Sequence, residues 1–283
     1  MISLLAAALV ALGVVAAQVT PANSTPAGPS STPAAGISKP RHVVVVILEN
    51  HSYREVIGNP AAPYLNRLAR TGRSLTHMRG ITHPSEPNYL ALFSGSTHGI
   101  RDDSCPHRFP GANLGSQLRA AGYSFVGWAE GLPRTGSPAC VAGEYARKHA
   151  PWVNFANLPK RVSRPFGQFP HNYAKLPTVS FVVPNLLHDM HDGTIGQADR
   201  WVQRNLAGYA RWAKTHDSLL VVTWDEDDGS ARNHIPTIIT GAGVGRGPLA
   251  RPVTLYSLLR LLEDLYRLPH LGHARTARPI PLR

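Results

Sequence analysis

The stretch Leu219-Leu220-Val221-Val222-Thr223-Trp224-Asp225-Glu226-Asp227-Asp228-Gly229 decides how this chain is read. Its first half is a continuous apolar run rich in β-branched residues, the pattern of a strand buried on both faces of a parallel sheet. Four carboxylates follow where such a strand ends. Like charges this close repel, so they call for a cation or for basic partners. A second run of the same kind, His42–Leu48, ends in Glu49-Asn50, and a third, 178–183, ends in Pro184-Asn185. Segments 123–128 and 235–240 are also strand-like.

Between these runs lie helical signals. Segments 63–69, 88–93 and 113–121 are followed by Gly72, Gly95 and Gly122 as stops. Segment 199–214 sets Trp201, Val202, Leu206, Tyr209, Ala210 and Ala213 on one stripe, and 255–266 does the same with five leucines. Residues 151–177, rich in Pro, Asn and aromatics, read as loop-dominated. The alternation predicts an α/β fold with a mostly parallel sheet between helix layers. In such folds ligands bind beyond the carboxyl ends of the strands. Glu49-Asn50, Asn185 to Asp192 and Asp225-Glu226 are therefore expected to converge.

The chemistry expected there is hydrolytic. Thr82-His83-Pro84-Ser85-Glu86-Pro87-Asn88-Tyr89 places a serine at a loop-to-helix turn. A helix N-terminus presents free N–H groups that favour an oxyanion or a phosphate. Ser85 is the expected nucleophile, with an N-cap as its other reading, and Asn88 is expected to hydrogen-bond a phosphate oxygen. Glu49, Asn50, Asp225 and Glu226 are hard oxygen ligands for one divalent cation. That donor set favours Mg²⁺, Ca²⁺ or Mn²⁺, while nearby histidines keep Zn²⁺ open. A metal touching the serine oxygen replaces the histidine base of a triad. Asp227 and Asp228 are expected to face water in a turn. In the loop 184–193, His191, oriented by Asp192, is expected to protonate a leaving alkoxide or hold a phosphate oxygen. His188 in the same loop and His234 before the last strand are further substrate-binding candidates, and His234 reads equally as a strand cap.

The chain has 283 residues, a formal charge of +12 and a pI near 10.2. A basic surface attracts anionic partners. The Lys and Arg residues are scattered without a concentrated basic tract, so no nucleic-acid partner is expected, and no obligate protein partner is evident. Residues 1–17 read as a signal peptide with Val15-Ala16-Ala17 before the cleavage point. Residues 18–40, rich in Pro, Ala, Ser and Thr, read as a disordered linker, and 41–283 as the catalytic domain. The expected location is extracellular. Two cysteines, Cys105 and Cys140, in an exported chain favour a disulfide.

Taken together, Glu49-Asn50 with Tyr53, His83 to Tyr89, His188 to Gly193 and Thr223 to Glu226 resemble the bacterial phosphoesterase family of acid phosphatase A-type enzymes and non-zinc phospholipases C. Within it the chain is most similar to small secreted acid phosphatases of the phosphatidylinositol-3-phosphatase type. Tyr145-Ala146-Arg147-Lys148-His149, Pro151 to Phe155 and both cysteines match that type. The resemblance implies an alkaline-phosphatase-like α/β/α sandwich, one metal surrounded by Glu49, Asn50, Ser85, Asp225 and Glu226, and a phosphate touched by Asn88 and His191. It implies hydrolysis of phosphate monoesters, with phosphoinositide head groups at a membrane surface as candidate substrates. A phospholipase C-type phosphodiesterase is the alternative on the same site. A non-enzymatic basic protein that binds anions is the other, and it has no use for a strand end crowded with carboxylates.

Overall fold

The computed structural model describes residues 1–2 and 36–283. The expected signal-peptide core and the linker up to residue 35 lie outside the described residues. The last residues of the expected linker are described, and Ile37 is buried in the core.

Strands His42–Leu48 and Ser218–Trp224 form the centre of the main sheet, and nearly every side chain in both is buried. This is why both read as unbroken apolar runs: neither face meets water. They pair in parallel with Leu48 opposite Trp224, so Glu49 and Asp225 leave the sheet side by side. From one edge to the other the strands are Gly247–Leu249, Arg73–Leu75, Thr237–Gly241, Ser218–Trp224, His42–Leu48, Val179–Val183, Phe125–Ala129 and Ser163–Pro165. Within this sheet only Thr237–Gly241 runs against its neighbours. It starts, where the parallel strands end, on the edge that carries Glu49 and Asp225.

Helix Pro63–Thr71 packs with helix Ile195–Ala213, and helix Ser85–Ser94 packs with helix Leu255–Tyr266. The sheet lies between these layers, an α/β/α sandwich. Thr194 starts the long helix with a reciprocal cap: its hydroxyl accepts from Gln197 N at 3.2 Å, and Gln197 Oε1 accepts from Thr194 N at 2.7 Å. Six residues of the expected stripe, Trp201, Val202, Leu206, Tyr209, Ala210 and Ala213, are buried. Among the described residues no helix is long and apolar enough to cross a membrane.

Segment 151–177, expected to be loop-dominated, contributes the edge strand Ser163–Pro165. Three residues ending in proline carry no alternation to read, and an edge position tolerates the missing N–H. Cys105 and Cys140 are joined, with Cα atoms 5.9 Å apart. The bond ties the loop that holds Asp103 to the hairpin leading into Arg147, Lys148 and His149.

Position 127 in strand Phe125–Ala129, next to the edge strand, is a glycine because the indole of Trp152 packs where a side chain would stand. A Cβ there would sit 2.1 Å from Trp152 Cε2. Gly127→Ala is expected to cost roughly 3 kcal/mol of stability, read as a lowered Tm and urea midpoint.

Candidate active site

The strand ends bring the expected residues together. Asp225 N donates to Leu48 O at 3.1 Å, and Glu49 N donates to Asp189 O at 2.8 Å. Asn50 turns into the left-handed region, with φ at 45°, and its N–H lies 3.4 Å from Asp225 Oδ1. Ser85 opens helix Ser85–Ser94 and is buried; its hydroxyl donates to Glu49 Oε2 at 2.9 Å and lies 3.2 Å from Glu226 Oε1. One end of the Asn50 amide meets the same two carboxylate oxygens at 3.1 and 3.2 Å. With its nitrogen there the amide donates to both. With its oxygen there, Asn50, Ser85, Glu49 and Glu226 present four oxygens to one point.

Charge balance in this knot favours a cation. Asp225 Oδ2 is buried without a hydrogen-bond partner among the described residues. Burial pushes Glu49 up to about 7, with His149 opposing, and burial together with Glu49 and Glu226 holds Asp225 well above the usual carboxylate range. Burial also raises Glu226, against the pull of His83, whose Nδ1 is 2.7 Å from Glu226 Oε2. A divalent ion among these oxygens would restore the ionised forms, and the donor set fits one.

A neighbouring cluster was not foreseen. His149, fully buried, lies with Nε2 3.3 Å from Glu49 Oε1 and Nδ1 3.2 Å from Asp189 Oδ2, though neither contact is aligned as a hydrogen bond. Its ring stacks on Tyr89 at 5.1 Å, and Tyr89 donates its hydroxyl proton to Glu49 Oε1. Burial lowers His149 to about 4 and raises Asp189 to about 7. Glu49, His149 and Asp189 form a buried group compatible with a metal ion. Asp189 is absent from the residues singled out in the sequence, where Asp192 is the expected partner of His191. His149 stood only inside a segment matched by resemblance.

The remaining candidates divide. His191 is half-buried beside this cluster; its Nδ1 is 2.6 Å from Asp192 Oδ1, the pairing expected, and its Nε2 is 3.4 Å from Lys148 Nζ. Lys148 also pairs with Asp103 at 2.8 Å. His188 is drawn away to Glu130 at 3.0 Å and stacks on Trp201. His234 faces the Thr76 carbonyl at 2.8 Å and stacks on Tyr53, so it pins a loop. Asn88 is buried, and its amide serves the loop before Ser85: Oδ1 accepts from Ile81 N and Thr82 N, while Nδ2 donates to Thr82 O and Pro84 O. Only its 3.3 Å contact with Glu226 Oε2 points into the centre.

Two expectations change. The start of the Ser85 helix is not a row of free donors. Glu86 N is already bonded to Asp103 Oδ1 at 2.9 Å, and Pro87 has no N–H, which leaves Ser85 alone among the first three positions. Asp227 does not face water: it is buried and accepts from Gly229 N at 2.8 Å and from Ala231 N and His234 N, each at 3.1 Å. The loop folds back over it through residues with positive φ at Gly229, Arg232 and Asn233, and its donors need a buried acceptor. Asp228 is exposed, as expected, with Ser230 as its partner.

A family model described as the Phosphoesterase family matches residues 59–269. The chain is 55% identical over 243 residues to a phosphatidylinositol-3-phosphatase of Mycobacterium tuberculosis, covering 84% of this chain and 81% of that protein. It is 32% identical over 252 residues to a probable acid phosphatase of Kluyveromyces lactis, covering 81% of this chain and 58% of that one. Among solved structures it is similar to an alkaline phosphatase superfamily protein of Vibrio parahaemolyticus, with a TM-score of 0.60, 14% identity, and coverage of 86% of this chain and 71% of that one.

Asp227→Ala would leave three N–H groups without their acceptor and is expected to cost about 2–3 kcal/mol. Asp228→Ala is expected to stay within about 0.5 kcal/mol. Urea unfolding of the two variants separates the buried acceptor from the solvated one.

Proposed function

The chain belongs to the phosphoesterase family, and from that premise we propose that it is an acid phosphatase whose Ser85 attacks phosphate monoesters. The observation that carries this reading is the Ser85 hydroxyl, buried at a helix start and aimed at Glu49 Oε2 and Glu226 Oε1. A serine used only as a cap would accept from helix N–H groups; this one donates to carboxylates across the strand ends.

Glu49, Asn50, Asp225 and Glu226 would hold one divalent cation, with Mg²⁺, Ca²⁺ or Mn²⁺ favoured over Zn²⁺ by the oxygen donors. Bound there, the ion supplies Lewis-acid charge that lowers the pKa of the serine hydroxyl and offsets charge on the phosphoryl group. The chain's own residues do the rest. Ser85 Oγ bonds to phosphorus as the bond to the alcohol oxygen breaks. The hydroxyl proton passes to the carboxylate 2.9 Å away. His191, held by Asp192, protonates the departing alkoxide from Nε2. Water then attacks the phosphoserine and gives one proton to His191, while the carboxylate returns its proton to Ser85 Oγ as inorganic phosphate is released. Asn88 keeps the loop before the nucleophile in place, and would reach a phosphate oxygen only by giving up one of its loop hydrogen bonds.

The relative at 55% identity is called a phosphatidylinositol-3-phosphatase, and the basic surface suits an anionic membrane. Phosphatidylinositol 3-phosphate is therefore the proposed natural substrate. Residues 1–17 are proposed as a cleaved leader, 18–40 as a linker whose end docks through Ile37, and 41–283 as the secreted catalytic domain.

Ser85→Ala should lower release of phosphate from an aryl phosphate by at least about a thousandfold with an unchanged Tm; retained turnover would remove Ser85 as nucleophile. A chelator should abolish turnover by the native protein, with activity returning on addition of Mg²⁺, Ca²⁺ or Mn²⁺. A choline diester hydrolysed faster than the monoester would favour the phosphodiesterase reading.

A further inference from the structure

A phosphate dianion entering this site meets Glu49, Asp189, Asp225 and Glu226, with Asp103 close behind the helix start. The helix end gives it little, because Glu86 N is taken and Pro87 has no donor. Even with a divalent cation bound, side-chain donors are needed on the face of the phosphate turned away from the carboxylates. Among the described residues that touch this cluster through an ion pair or hydrogen bond, Lys148 is the only Lys or Arg.

We propose that Lys148 is a substrate-binding residue that holds a non-bridging oxygen of the phosphoryl group, beside the leaving-group oxygen that His191 protonates. This rests on the reading of Ser85 as the phosphate site. The ammonium has three donors. One goes to Asp103 Oδ2 at 2.8 Å, and a second faces His191 Nε2 at 3.4 Å. Asp192 holds the far side of the His191 ring at 2.6 Å and so fixes Nε2 toward Lys148. Two nitrogens this close are best satisfied by an anionic group whose neighbouring oxygens accept one from each, as a phosphate ester does. The position is also fixed from behind. His149, the next residue, is locked between Glu49 and Asp189 and stacked on Tyr89. Arg147, the residue before, bonds to Asn154 and to the carbonyls of Pro138 and His107. A flexible side chain therefore grows from a backbone pinned on both sides.

The competing account is structural: Lys148 serves only to pair with Asp103. The two are separated by inhibition with inorganic phosphate, measured on metal-loaded wild type, Lys148→Met, Lys148→Arg and Asp103→Asn with an aryl phosphate as substrate. Lys148→Met should raise both KM and the phosphate inhibition constant about 10–100-fold, the range for a hydrogen bond to a charged group, with a smaller effect on kcat. Lys148→Arg should recover most of that binding. Asp103→Asn breaks the same ion pair but keeps the ammonium, and should leave the inhibition constant within about threefold. Equal effects of Lys148→Met and Asp103→Asn, or none from Lys148→Met, would overturn the proposal while leaving Ser85 in place. A wild-type protein that neither hydrolyses the ester nor responds to phosphate would overturn both. If Lys148→Met does not fold, Lys148→Gln serves the same comparison.

Discussion

Everything in this molecule turns on one carboxylate, that of Glu49, which is shared between two surroundings. It sits fully buried at the end of a central strand. One oxygen faces Ser85 and the Asn50 amide. The other faces Tyr89 and His149. A buried carboxylate is costly unless its oxygens are satisfied. Each partner of Glu49 is therefore also a positional constraint: the helix that carries Ser85 and Tyr89, the loop that carries His149, and the neighbouring strand end. Strand, helix and loop layers meet at this side chain.

The fold was legible because its centre obeys a simple rule. A strand buried on both faces must be apolar at every position, and 42–48 and 218–224 are. The helical stripes of 199–214 and 255–266 were equally plain. The site was legible wherever residues followed a strand directly, since chain connectivity alone puts Glu49-Asn50 beside Asp225-Glu226. It was not legible where tertiary packing chose among neighbours. Asp189 and Asp192 flank the same histidine, yet Asp189 turns inward to His191 N and the buried His149 while Asp192 stays outside. Asp227 looked like its neighbour Asp228, yet a fold-back of the loop gave it three backbone donors. Lys148 and the neutral His149 could not be placed from the sequence, because their segment joins the core through short turns and a disulfide, with no periodic signal to read.

The loop layer also shows how a site rich in acid is made to take an acid. The sheet supplies oxygens and little else. Nitrogen comes from Lys148 and His149 on the hairpin side and from His191 in the loop after Val179–Val183, and the Cys105–Cys140 bond fastens the hairpin side to the loop of Asp103. The two halves of the site therefore answer to different parts of the structure. One is built into the hydrophobic core. The other is held by ion pairs and a covalent tie.

The reversed strand Thr237–Gly241 has an effect that reaches beyond topology. Because it returns antiparallel beside Ser218–Trp224, the acidic segment is anchored by sheet hydrogen bonds at both of its ends, and Asp227 fastens its middle. Asp225 and Glu226 thus stand preorganised. A cation that arrives there finds ligands already in place, so little ordering entropy is lost on binding. Exchange of one ion for another then becomes a matter of donor chemistry and hydration, with little refolding of the protein around it.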